Sequence, residues 1–144
     1  APAFRPGQGR LVNVEAVSGT QRGKRVKLHS LRDDLRLEVS YVVDPALPLP
    51  SVIMSLFSRS GNMVCSAGSH NDHVQLPRDE QGRGMATLSF PRMALLKGDY
   101  FINVFLACER GLHYYESALY TIDLEVTQDG LEQGVVTLPH HWNE

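Results

Sequence analysis

The feature that most constrains this chain is an alternation of period two. In Leu35-Arg36-Leu37-Glu38-Val39-Ser40-Tyr41-Val42-Val43, apolar side chains take every second place until the run turns wholly apolar at its end. Successive side chains of a strand point to opposite faces, so the run predicts a strand with one dry and one wet side. Leu88 and Phe90 alternate in the same way with Thr87 and Ser89. So do Tyr120, Ile122, Leu124 and Val126 with Thr121, Asp123 and Glu125. No dozen-residue window carries a helical stripe, and Pro91–Leu96 is expected to make at most one turn, ended by Gly98.

Further strands are expected at Leu11–Val17, Val52–Ser58, Met63–Ala67, Tyr100–Cys108 and Gly134–Leu138. Turn residues separate them: Pro45 to Pro50, Ser60-Gly61-Asn62, Gly82 to Gly84, Lys97-Gly98-Asp99 and Gln128-Asp129-Gly130. Residues 18–30, rich in Gly, Lys and Arg, read as a loop or a short edge hairpin. Residues 68–84 read as the longest irregular stretch. About eight short strands with such punctuation predict an all-β fold, an antiparallel β-sandwich of immunoglobulin-like or jelly-roll type.

The chain's 144 residues suffice for one domain with a real core, and 42% hydrophobic with 21% charged residues is ordinary globular composition. Fourteen basic against sixteen acidic side chains give a net charge of −2, which supplies no electrostatic footprint for nucleic acid. The apolar runs are far shorter than a membrane helix needs. Ala1-Pro2-Ala3-Phe4-Arg5 does not read as a signal sequence. The lack of an initiator Met points to a domain excised from a longer polypeptide.

Few residues invite chemistry. Cys65 and Cys108 are too few for a disulfide scaffold and read as reduced, half-buried thiols. His70-Asn71-Asp72-His73 has metal-ligand residue types without a distant third or fourth ligand, so no metal and no cofactor are expected. His140 and His141 point to opposite sides if extended, and Trp142 reads as a packing anchor for the chain end. Nucleophile elbows and phosphate loops are absent, and the acid pairs Asp33-Asp34 and Asp79-Glu80 lie in hydrophilic turns rather than across a cleft. We therefore expect a protein without catalytic residues.

The strands differ on the side away from the core. Arg36, Glu38, Ser40, Thr87 and Ser89 make an ordinary wet surface. With Tyr100, Ile102, Val104, Leu106 and Cys108 inward, Tyr100–Cys108 turns Phe101, Asn103, Phe105 and Ala107 outward. With Val52, Met54 and Leu56 inward, its neighbour turns out Ile53, Ser55 and Phe57. A sheet facing water does not look like this. If both strands share a sheet with Leu119–Val126, one outer face holds Phe57, Phe101 and Phe105 among Ser55, Asn103, Thr121 and Asp123. Aromatic rings interleaved with short polar groups suit a sugar, whose C–H face packs on a ring while its hydroxyls take directional hydrogen bonds. A loop or a second subunit covering the same rings is the other reading, and the two are compatible. The candidate carbohydrate-binding residues are Ser55, Phe57, Arg59, Phe101, Asn103, Phe105 and Asp123, with Arg59 placed to meet a phosphate or acidic substituent.

The order of motifs is also familiar. Pro50-Ser51-Val52-Ile53-Met54-Ser55-Leu56 leads through Ser60-Gly61-Asn62-Met63-Val64 to Ala67-Gly68-Ser69. Leu95-Leu96-Lys97-Gly98-Asp99-Tyr100-Phe101-Ile102-Asn103-Val104 follows, then His113-Tyr114-Tyr115-Glu116 and Ile122-Asp123-Leu124-Glu125-Val126. The chain closes on Gly134-Val135-Val136-Thr137-Leu138-Pro139-His140-His141-Trp142. From about Gly9 onward this resembles the C-terminal carbohydrate-binding domain of Wzt-type proteins, the ATP-binding subunits of O-antigen polysaccharide ABC exporters.

The resemblance implies a non-catalytic cytoplasmic module at the inner face of the bacterial inner membrane. It would follow a nucleotide-binding domain in the parent chain, act beside a transmembrane exporter subunit, and recognise the non-reducing terminus of a lipid-linked O-antigen polysaccharide. It also implies a homodimer formed by exchange of the C-terminal strand, here Gly134–Trp142 after a Gln128-Asp129-Gly130 hinge. The alternatives are a structural immunoglobulin-like dimerisation domain and a carbohydrate-binding appendage of a glycan-active enzyme.

Overall fold

The computed structural model describes residues 4–143; Ala1-Pro2-Ala3, on which part of the signal-sequence reading falls, lies outside them. Within that span the chain forms nine strands and no helix. They are β1 (Gly9–Ser18), β2 (Gln21–Gly23), β3 (Arg25–His29), β4 (Leu35–Val43), β5 (Ser51–Ser58), β6 (Met63–Gly68), β7 (Arg83–Phe90), β8 (Gly98–Ala107) and β9 (Tyr114–Thr127). A four-stranded sheet in the order β2-β1-β4-β7 packs on a five-stranded sheet in the order β3-β9-β8-β5-β6.

The alternation in β4 works as its pattern dictates: Leu35, Leu37, Val39 and Tyr41 are buried at 3% exposure or less, while Arg36 is exposed. From the opposite sheet, Met54, Leu56, Tyr100, Ile102, Val104, Leu106, Ile122, Leu124 and Val126 fill the same core. Burying these side chains is the main favourable term in the fold, roughly 1.5–3 kcal/mol for each large one.

Four expectations need correction. First, residues 18–30 supply more than an edge hairpin. After β2 pairs with β1, the chain crosses at Lys24 to the other sheet, where β3 runs parallel to β9, so that sheet is mixed. The signal was the alternation of Val26 and Leu28, both 2% exposed, with outward Arg25 and Lys27. Second, Gly134–Leu138 joins neither sheet. It makes one isolated bridge, Leu95 to Val136, with Leu96 N–H donating to Val135 O at 2.8 Å and Thr137 N–H to Ala94 O at 2.9 Å. Third, Trp142 is 90% exposed and so does not pack the chain end onto the described residues. Fourth, Tyr120 does not point inward, for a reason that lies in β9.

Candidate functional site

Register aligns the outer face of the five-stranded sheet into rows. Met63, Phe57, Phe101, Asp123 and Arg25 stand opposite one another from β6 across β5, β8 and β9 to β3. The next row on that face is Ser66, Ser55 and Asn103, and the one after it Gly68, Ile53, Phe105 and Ser117. Six of the seven sequence-nominated residues, Ser55, Phe57, Phe101, Asn103, Phe105 and Asp123, thus share one face, and Arg59 follows the end of β5. None of the three phenylalanines belongs to the core cluster.

The rings are not equally open. Phe57 and Phe101 stack across neighbouring strands with centroids 5.1 Å apart and planes 5° from parallel. Tyr120 lies against Phe101 at 4.4 Å and 32°. Phe101 is therefore enclosed, at 9% exposure, whereas Tyr120 is 68% exposed. Phe105 carries a similar lid, with Tyr114 tilted over it at 5.0 Å. Ser55 is buried in its row at 7% exposure.

Tyr120 and Tyr114 escaped the sequence reading because β9 is irregular. Ile102 pairs with Ile122 but Val104 with Ala118, so Leu119, Tyr120 and Thr121 stand opposite Asn103 alone. Without this bulge Tyr120 would face Val104 and point into the core. Instead it adopts φ 52°, a left-handed conformation a bulky residue rarely takes, and turns outward. The Asn103 side-chain oxygen accepts the Tyr120 N–H at 2.7 Å. A second irregularity, between Leu106 and Ala107, sets Tyr114 opposite Ala107. Sequence alternation carries no mark of either bulge.

Beside the first ring group lies a charged cleft of about 320 Å³, with Arg25, Lys27 and Arg59 facing Asp99, Asp123 and Glu125. Arg25 Nε and Asp123 Oδ2 are 3.5 Å apart, an exposed pair worth little by itself. Arg59 donates its backbone N–H to Asp99 O at 2.9 Å. Among the described residues its guanidinium has no ion-pair partner.

The residues singled out for reactivity lie elsewhere. Cys65 and Cys108 are unpaired. Cys65 is exposed rather than half-buried, and partial desolvation raises its thiol. At Cys108, which follows β8 rather than ending it, partial desolvation also raises the value. The backbone N–H groups of His113, Arg110 and Leu112 outweigh it and leave that thiol below its usual range. His70 packs its ring against Gly68 and Gly111. Among the described residues no three His, Cys, Asp or Glu side chains are grouped to hold a metal ion.

The architecture defines a two-sheet β-sandwich domain with an aromatic, partly charged outer face on the larger sheet. The family profile of the Wzt C-terminal domain matches residues 3–138, and the chain belongs to that family, a domain associated with O-antigen ABC exporters. The family's domain is non-catalytic. The fold is similar to a crystal structure of the C-terminal domain of Wzt, with a TM-score of 0.81 and 13% identity over 100% of this chain and 92% of that one. A putative β-galactosidase from Bacteroides fragilis is matched more loosely, with a TM-score of 0.47 and 11% identity over 73% of this chain and 15% of that one. Among curated proteins no sequence matches. No described helix is long and apolar enough to cross a membrane.

Proposed function

We propose that the outer face of the five-stranded sheet binds the non-reducing terminus of a lipid-linked O-antigen polysaccharide and couples it to export. The observation that carries this reading is the exposed Tyr120 ring, backed by Phe101 and Phe57 and bordered by a cleft with an unpaired arginine. Tyr120, Phe57 and Phe105 supply ring surface for sugar C–H groups. The Asn103 amide N–H₂ and Asp123 are placed for hydroxyls, with Ser55 lining the floor, and Arg59 for a phosphate or carboxylate substituent.

In this reading the chain is one carbohydrate-binding domain of a longer protein whose nucleotide-binding domain supplies ATPase activity. It works in the cytoplasm at the inner membrane beside the transmembrane exporter subunit. Each sugar contact is modest, so a homodimer presenting two faces raises the apparent affinity. Exposed Leu131, Leu138 and Trp142 on the C-terminal tail support that dimer.

The test is retention on immobilised O-polysaccharide from the organism that encodes the chain. Wild type should be retained, and a Phe57→Ala/Tyr120→Ala double variant with unchanged far-ultraviolet circular dichroism should pass through. Wild type that fails to bind the native glycan would falsify the reading and leave a structural dimerisation domain.

A further inference from the structure

The ring groups on the outer face follow one construction used twice. At each, β8 provides a phenylalanine standing on the sheet and β9 provides a tyrosine laid against it: Tyr120 on Phe101 and Tyr114 on Phe105. In each pair the tyrosine is the more open ring, 68% and 48% exposed, and in each it sits beside a break in the β8–β9 register. A bulge disrupts the ladder and twists the strand, and one of these two places a tyrosine at φ 52°. Two such breaks in one strand, both ending in an exposed tyrosine, are hard to explain by packing alone.

The spacing matters. Phe101 and Phe105 lie four residues apart on β8, about 13 Å at the usual rise of a strand. Between them runs the polar row Ser66, Ser55 and Asn103. A single pyranose does not reach from one ring group to the other, whereas a run of three can place its outer residues on the rings and its middle residue over the polar row.

We infer that the face is a two-platform site for a linear oligosaccharide of at least three residues lying along β8, with Tyr120 and Tyr114 as the stacking rings at its ends. The inference rests on the glycan reading above and adds its register: recognition extends past the terminal sugar into the repeat behind it. Both tyrosines are exposed, so their removal leaves the core untouched.

The experiment uses the intact chain and a ladder of fragments, one to five residues long, released by mild acid from the O-polysaccharide of the encoding organism. Binding is followed by calorimetry and by amide chemical shifts. Affinity should climb with length and level off at three or four residues. Tyr114→Ala and Tyr120→Ala should each weaken the three-residue fragment about fivefold to tenfold, the size expected for one lost ring contact, and cancel the gain from the third residue. Single sugars bound as tightly as long fragments, or long-fragment affinity indifferent to Tyr114, would overturn the two-platform site while leaving glycan binding in place. Binding at no length overturns the glycan reading itself.

Discussion

Asn103 holds Tyr120 by its backbone: the side-chain oxygen of one accepts the N–H of the other at 2.7 Å, across the register break of β8 and β9. The sequence reading gives Asn103 the role of a sugar contact. Its oxygen is already committed, and what it holds is the residue whose ring is most open on this face.

Replacing Asn103 therefore has two separable effects. Asn103→Ala should speed hydrogen exchange at the Tyr120 amide and lower stability by about 1 kcal/mol, the usual net value of one such bond. Asn103→Asp keeps an acceptor in place and should retain both protection and stability. If protection at Tyr120 is equal in Asn103→Ala and wild type, the bond does not hold the bulge.

Tyr41, Pro77 and Gly84 close the open side of the sandwich. The Tyr41 hydroxyl donates to Pro77 O at 2.5 Å, tying the 69–82 loop to β4. A Cβ on Gly84 would lie 2.2 Å from that oxygen and 2.5 Å from the hydroxyl, so neither group has room to yield. Gly84→Ala should thus cost more than Tyr41→Phe, roughly 3 kcal/mol against about 1, in a denaturant titration.

The same tyrosine predicts alkaline sensitivity. Burial pushes the Tyr41 phenol up to about 12, above its value of about 10 in an unfolded chain. A group raised in this way contributes stability that is complete below pH 10 and is lost as pH rises through 12. Tyr41→Phe should flatten that limb of the pH–stability curve. An unchanged alkaline limb would assign the loss to another group.

Acid acts at a different place. The Gly7 N–H, at 2.6 Å from Asp44 Oδ2, and the Ala46 N–H, at 2.9 Å from Oδ1, hold the Asp44 carboxyl below its usual range. Its contribution is present above the unfolded value and is lost as pH falls through the depressed folded one. Asp44→Asn should reduce stability at neutral pH and leave a shallower acid limb. Identical acid limbs in the two proteins would remove Asp44 from the account.

What the sequence made legible follows from the physics of alternation. β4 as far as Tyr41, β7 from Ala86 and β9 from Ile122 carry an in-out pattern, and their facing was readable residue by residue, as Leu37 against Glu38 shows; β8, apolar on both faces, was phased by Asn103 alone. The wet face was read correctly up to Thr121, where three residues oppose Asn103 and the pattern loses its phase. Tyr120 fell on the wrong side for that reason alone. β3 was missed because Val26 and Leu28 alternate over only five residues amid Gly, Lys and Arg, and because parallel pairing with β9 joins segments nearly 100 residues apart. The crowding that encloses Phe101 depends on ring orientation across strands, which no pattern encodes.

The tail offers the last test. Leu131, Leu138 and Trp142 are 95%, 72% and 90% exposed, a heavy apolar burden for one short segment in water. What ties it to the domain is slight: the backbone bonds to Ala94 and Leu96, the Gln128 side chain, which donates to Gly130 O at 3.0 Å and Glu132 O at 2.9 Å, and the Tyr100 hydroxyl, which donates to Leu96 O at 2.7 Å and reaches Val135 O at 3.2 Å. A segment so lightly held can exchange between copies at low cost, since the same bonds form in either arrangement. The intact chain should sediment as a dimer at micromolar concentration, and a chain ending at Gln133 as a monomer with its thermal transition lowered by only a few degrees. Leu138→Asp/Trp142→Ala should weaken the dimer without truncation, and Tyr100→Phe should loosen the tail while leaving the sheets intact. An intact chain that stays monomeric at high concentration would exclude the tail as the source of assembly.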